Sequence, residues 1–132
     1  MTGPFNIFVS SDLERTLTCL ARLFATPLAR DEGAGGPVFR LRMLNADISA
    51  FDDHGLDDDS GMAFSQYACQ IDVHALRAGG VHTAYAELLR ALAVYAGEYL
   101  SRELSCRTLV ADDLQMQLAE FGAMHPSPTN AR

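Results

Sequence analysis

Two stretches of helical periodicity, separated by stretches that alternate apolar and polar residues, constrain the fold most strongly. In the first, apolar residues recur every three or four positions and form one face: Leu13, Leu17, Leu20 and Phe24. Ser11, followed by Glu14, matches a capping box and predicts the start of this helix, and Pro27 predicts its end. A second, longer helix is predicted from Thr83, as its cap, to about Leu104.

The alternating stretches predict strands. They cover residues 5–9, 38–50, 67–73 and 107–111. Within 38–50 the apolar phase changes, which predicts a bulge near residues 43–45. The glycine-rich stretch 28–37 predicts a loop. Residues 113–121 fit either a helix or an edge strand, and the pattern leaves both open.

These elements follow the order β-α-β-β-α-β with a short C-terminal element. This order predicts an α+β domain with a ferredoxin-like split βαβ plan, in which an antiparallel sheet carries two helices on one face. The length of 132 residues suits one domain. We expect this domain to span residues 1–123 and residues 124–132 to form a flexible tail.

The negative charge of the chain is concentrated in one segment between the second and third predicted strands. Between Arg42 and Arg77 there are seven aspartates and no cation, and the other ten acidic residues balance the ten arginines. Five of the seven lie within eight positions: Asp52, Asp53, Asp57, Asp58 and Asp59. We expect this segment to join two neighbouring antiparallel strands. A run of charge is also typical of a simple solvated loop.

Composition excludes several classes of function. The acidic balance argues against nucleic-acid binding, which needs a basic face. No apolar run reaches the roughly 20 residues of a membrane span. The N-terminus does not match a signal peptide. Three cysteines without CxxC spacing predict buried thiols in a reduced compartment, so we expect a cytoplasmic protein.

No motif for catalysis, a cofactor or a metal is present. Counted from Asp57, a calcium loop would need glycine at Met62 and glutamate at Ala68, so that pattern fails. Nucleophile elbows, phosphate-binding loops and metal-ligating histidine pairs are absent. The sequence therefore predicts a protein that is not an enzyme and that holds no cofactor or metal.

Residues 56–72, which contain LDDDSGMAFSQY followed by CQID, resemble the immunity proteins of contact-dependent growth inhibition and related polymorphic toxin systems. Residues 109–115, LVADDLQ, carry the same resemblance. The resemblance implies a cytoplasmic inhibitor that binds one cognate toxin domain, often a nuclease. It also implies that the aspartates stand where nucleic-acid phosphates otherwise lie, against cationic groups of the toxin.

We therefore expect a partner-binding surface made of the five aspartates with apolar anchors among them. The expected partner-binding residues are Asp52, Asp53, Asp57, Asp58, Asp59, Phe51, Met62, Phe64 and Tyr67. The expected partner is a basic toxin domain. The phase of Tyr67 also places it with Ile71 and Val73, on the core side. The alternative is a small-molecule or metal-ion sensing domain of ferredoxin-like fold that dimerises through its sheet.

Overall fold

The first helix begins one residue later than expected, because Asp12 and not Ser11 caps it. The Asp12 side chain accepts a hydrogen bond from the Arg15 amide at 2.8 Å, and the helix, α1, spans Leu13–Phe24. Ala25 ends it in a left-handed conformation with φ of 57°, two residues before Pro27. The second helix, α2, spans Thr83–Leu104, as the periodicity predicts.

The computed structural model describes residues 4–33, 36–76 and 83–122 of the chain. The strands in these ranges are β1 Phe5–Val9, β2 Ala29–Gly33, β3 Gly36–Met43, β4 Ala46–Asp52, β5 Cys69–Ala75, β6 Thr108–Asp112 and β7 Met116–Phe121. They form one antiparallel sheet with the order β2-β3-β4-β5-β1-β6-β7. The fold is α+β. The expected tail, residues 124–132, lies outside the described residues.

The single long strand predicted over 38–50 is wrong, because this stretch is the hairpin β3–β4. Leu44 and Asn45 have φ of 51° and 64° and form its two-residue turn, while Met43 pairs with Ala46. Positive φ at both central residues is typical of the tight turn that matches the twist of a hairpin. A two-residue turn and a bulge change the apolar phase in the same way, which explains the wrong prediction.

Two further strands lie where the sequence indicated a loop or left a choice. Part of the expected loop 28–37 forms β2, which pairs with β3 from Ala29 opposite Arg40 to Gly33 opposite Gly36. Within 113–121, Asp113 and Leu114 have φ of 53° and 58° and form a turn. The chain then continues as strand β7, which pairs with β6. The edge strand is therefore the correct alternative.

The main core lies between the two helices and one face of the sheet. Ile7 of β1, Ile71 of β5 and Val110 of β6 share this face, because the register pairs Ile7 with both of the others. They are at most 1% exposed and pack with Leu20 of α1 and Leu100 of α2. Burial of such side chains contributes roughly 1.5 to 3 kcal/mol each to stability. The interior strand β1 is buried along its whole length, so its opposite face is also covered.

Candidate protein-docking surface

The opposite face of the sheet carries a second, smaller apolar cluster. Because side chains alternate along a strand, Phe8 of β1 and Leu109 and Ala111 of β6 point away from the helices. The connection between β4 and β5, residues 53–68, lies over them and is called the capping segment. As expected, it joins two neighbouring antiparallel strands. Phe64 lies against Phe8 with ring centroids 4.6 Å apart. The acidic stretch therefore lies on a core of its own.

A tight turn orders the tip of the capping segment. Asp59 and Met62 exchange two backbone hydrogen bonds, of 3.0 and 2.8 Å. Ser60 and Gly61 between them have φ of 53° and 77°. This is the two-residue turn of a small hairpin, and glycine is the residue that adopts its second position at least cost. The Asp59 carboxylate also accepts the amide of Ser60 at 2.8 Å.

His54 joins the start of the capping segment to its end. The Leu56 amide donates to His54 Nδ1 at 2.9 Å, so Nδ1 carries no proton. His54 Nε2 therefore carries the hydrogen and donates to the Tyr67 carbonyl at 2.8 Å. The imidazole ring also lies edge-on to Phe8, with centroids 5.6 Å apart. The imidazole thus connects two chain positions thirteen residues apart and fastens both to the sheet.

Asp58 fixes the middle of the segment. One of its oxygens, Oδ1, accepts the Ser65 hydroxyl at 2.6 Å and the Ser65 amide at 3.0 Å. These hydrogen bonds favour the ionised carboxyl, the hydroxyl contributing most, and they hold the pKa of Asp58 below its ordinary value. Asp58 therefore stays charged and keeps its position relative to the 3-10 turn at Phe64–Gln66.

The four aspartates of the capping segment and Asp52, which ends β4, are together called the acidic platform. Asp52 pairs with Cys69 of the main core, so its side chain points to the helix side of the sheet, away from Phe51. Its members are all exposed: Asp52, Asp53, Asp57, Asp58 and Asp59. None of them forms an ion pair with another described residue. Carboxylates that no local cation neutralises project a negative potential into solvent. Beside the turn lies an open groove of about 280 Å³, lined by Asp58, Asp59, Gly61, Met62 and Ala63.

The four expected apolar anchors take two different positions. Met62, Phe64 and Tyr67 are 2%, 2% and 5% exposed, so their side chains support the platform from below. Tyr67 belongs to the cluster around Phe8 and not to the core that contains Ile71 and Val73, so its assignment to that core by phase is wrong. Phe51, at the end of β4, is partly exposed and remains accessible to a partner.

A row of charged and polar side chains lies beside the platform on the same face of the sheet and is called the polar strip. Its centre is Asp47 of β4, whose side chain is only 6% exposed. Three cationic or titratable groups surround its carboxylate: Arg40 Nε at 3.8 Å, Arg42 Nε at 3.7 Å and His74 Nε2 at 3.4 Å. Sequence reasoning did not identify this cluster, because only the register of β3, β4 and β5 brings these residues together.

The strip continues toward the capping segment through Asp72. Its Oδ1 accepts amide hydrogen bonds from Asn6 at 2.8 Å and from Gln70 at 2.9 Å. Asn6 in turn accepts the backbone amide of Leu114 at 2.9 Å through its side-chain oxygen. Asn6 and Gln70 are 1% and 6% exposed. Two side-chain amides thus hold the Asp72 carboxylate in place at this end of the strip.

The described residues contain no group of three His, Cys, Asp or Glu side chains that could hold a metal ion. The three cysteines are free thiols, of which Cys19 and Cys69 are buried. Desolvation by burial raises the pKa of Cys69 to about 11, and this outweighs the opposing hydrogen bond with Thr16. A thiol in that state is a poor nucleophile at neutral pH.

Within the described ranges, neither helix has the length and apolar character needed to cross a membrane. Comparison of the chain with protein-family models, with curated proteins and with solved structures finds no match. The acidic platform and the polar strip are therefore interpreted from their own geometry and charge.

Proposed function

We propose that this chain is a non-enzymatic immunity protein that binds and neutralises a cognate bacterial toxin through the acidic platform. The observation that supports this most is that the aspartates are exposed while the capping segment beneath them is well packed. Four of the five carboxylates lie on the capping segment, which has its own apolar core, and none of the five is neutralised by a described cation. Like charges held close together repel one another, so their retention on a fixed scaffold favours a role outside the fold.

The chemistry of the platform suits a basic partner. A nuclease toxin binds phosphates with arginine and lysine side chains, and carboxylates can occupy the same cationic groups. The negative potential would also raise the rate of encounter with such a partner, most strongly at low salt. The contact surface proposed here comprises the five aspartates and the accessible Phe51. Met62, Phe64 and Tyr67 hold that surface in place from below.

The proposed fold relationship is to the ferredoxin-like split βαβ plan. The four neighbouring strands β4-β5-β1-β6 have the spatial order of that plan, and α1 follows β1 as α2 follows β5. On this interpretation, the hairpin partners β2 and β3 extend one edge and β7 extends the other. A cytoplasmic location is part of the same proposal, because a nuclease toxin acts on nucleic acid inside the cell.

The first experiment is co-purification of the tagged protein from its native host, with bound proteins identified by mass spectrometry. A basic toxin domain recovered in equal amount, whose activity the protein blocks, would support the proposal and name the partner. Recovery of the chain alone, with thermal stabilisation by a small ligand or a metal ion, would contradict the proposal and support the sensing alternative.

The second experiment tests the platform itself. Asp57→Asn, Asp58→Asn and Asp59→Asn together should slow association with the recovered partner by about tenfold at low salt and flatten its salt dependence. A matched control removes three exposed charges from the helices on the other side of the sheet: Glu14→Gln, Glu87→Gln and Glu98→Gln. If the two triple variants slow association equally, net charge and not the platform governs binding.

A further inference from the structure

The polar strip crosses the three neighbouring strands β3, β4 and β5. Across the sheet, Arg42 lies opposite Asp47, which lies opposite His74. Two residues farther along the strands, Arg40 lies opposite Ser49, which lies opposite Asp72. Neighbouring strands are about 4.8 Å apart, and Asp47 lies five residues, or about 17 Å, along β4 from Asp52. Arg42 is therefore about 18 Å from the end of β4, where the capping segment begins.

The size of a standard protein interface determines which residues beside Phe51 a partner would also cover. A standard interface covers about 800 Å² of each partner, a patch about 30 Å across. A partner centred on Phe51, which lies on the same face of the sheet as Asp47 and about 14 Å from it along β4, would therefore also reach the two arginines on the adjacent strand β3. Those arginines would lose part of their contact with water when the partner binds.

Arg42 has hydrogen-bond donors that no other described residue uses. Arg42 is 57% exposed, and its Nε faces Asp47 at 3.7 Å. Its terminal nitrogens bond to no other described residue, whereas Arg40 Nη1 lies 4.0 Å from Asp31. Beneath them, Asp47 Oδ1 and Arg40 Nε are buried without a hydrogen-bond partner among the described residues. The charged groups around Asp47 thus lie close together, but some of their polar atoms form no hydrogen bond with a described residue.

We infer that Arg42, supported by Arg40 and His74, is a second contact point that receives a carboxylate of the same protein partner. This inference rests on the proposed function. A guanidinium covered by a partner needs a hydrogen-bonding anion, and the planar fork of arginine pairs with a carboxylate through two hydrogen bonds. The partner surface is therefore dipolar: cationic groups face the capping segment, and an acidic side chain lies about 18 Å or more away, opposite β3. Asp47 acts as a positioning residue that orients both arginines.

Two synthetic peptides test this without the natural partner. Both contain KKGKKGSGSGSGSG, and one ends in two glutamates whereas the other ends in two glutamines. The nine-residue spacer reaches up to about 30 Å, enough to join the capping segment to β3. Affinities are measured by titration in about 0.1 M salt, where charges more than about 10 Å apart are largely screened.

A uniformly acidic surface must bind the glutamate peptide more weakly than the glutamine peptide. The inference predicts the opposite order, with the glutamate peptide about two- to fivefold tighter, as expected for a partly exposed ion pair. Arg42→Gln should reverse this order, whereas Arg102→Gln, an exposed arginine on α2, should leave it unchanged. The Nε–Hε resonance of Arg42 should shift with the glutamate peptide only.

The outcomes separate the two proposals. If the wild-type protein binds the glutamine peptide more tightly, or if Arg42→Gln and Arg102→Gln behave alike, the second contact point is refuted while the platform stands. If substitution of Asp57, Asp58 and Asp59 by asparagine does not lower the affinity for the glutamine peptide, the platform is refuted as a binding surface. The inference is then refuted with it.

Discussion

Gly97, in the middle of α2, provides a direct test of how closely this helix packs on the sheet. In an exposed helix, Gly→Ala stabilises by about 1 kcal/mol. Here a Cβ at position 97 would lie 2.6 Å from Val110 Cγ2, much closer than the 3.4 Å at which ordinary contacts begin. The helix cannot easily move away, because the Thr108 hydroxyl donates to the Gly97 carbonyl at 2.7 Å.

We therefore expect Gly97→Ala to destabilise the fold. Overpacking a close-packed site costs about 1 to 3 kcal/mol. Set against the helix-propensity gain of about 1 kcal/mol, this gives a net loss of up to about 2 kcal/mol. Urea unfolding followed by circular dichroism measures this loss as a lower midpoint at unchanged slope. A higher midpoint than that of the wild-type protein would show that the helix adjusts freely and would refute the packing argument.

A compensating variant identifies the atom responsible. Val110→Ala removes the methyl group that Gly97→Ala would meet, at a cost of its own from the cavity it leaves. If the steric argument is correct, the double variant is less destabilised than the sum of the two single variants, with a coupling of about 1 kcal/mol or more. Simple additivity would assign the effect of Gly97→Ala to another contact.

Two further predictions concern protonation. The lowered pKa of Asp58 means that its ionised form stabilises the fold above its unfolded pKa, near 3.8, and that this contribution is lost as the pH falls through the lower, folded value. In urea titrations, the free energy of unfolding of Asp58→Asn should therefore fall less steeply below about pH 4 than that of the wild-type protein. Asp57→Asn is the matched control, because the Asp57 carboxylate accepts no hydrogen bond from a described residue. Cys69, with its pKa raised to about 11, should react with iodoacetamide at pH 8 far more slowly in the folded protein than in urea. Equal rates would show that the buried thiol is open to solvent.

The periodicity of apolar residues and the positions of turn residues predicted some helices and connections correctly. The helix Thr83–Leu104 and the acidic connection between β4 and β5 are both confirmed, because periodicity and turn residues indicate them directly. The hairpin at Leu44 and Asn45 was missed, because a phase change does not distinguish a turn from a bulge. Strand β2 was missed because its stability comes from pairing with β3, and its short, charged sequence shows no alternation of its own.

The sequence predicts the charge of the candidate surface but not the buried side chains that lie beneath it. Exposure of the five aspartates follows from their side chains, since unpaired carboxylates are costly to bury. Burial of Met62 and Phe64 depends on Phe8 and Leu109, which lie far away in the chain and meet them only across the sheet. The cluster around Asp47 depends in the same way on strand register, so no local motif could have indicated it.

The separate core beneath the capping segment has a consequence for how this protein can change. Residues 57–61 at the tip contact solvent, while the helices and the other face of the sheet are held together by a different set of side chains. On the proposed function, recognition at the tip and stability of the main fold therefore depend on largely separate residues. Replacement of Ser60 and Gly61 by another two-residue turn, with Asp58 retained, should alter the exposed tip at little thermodynamic cost.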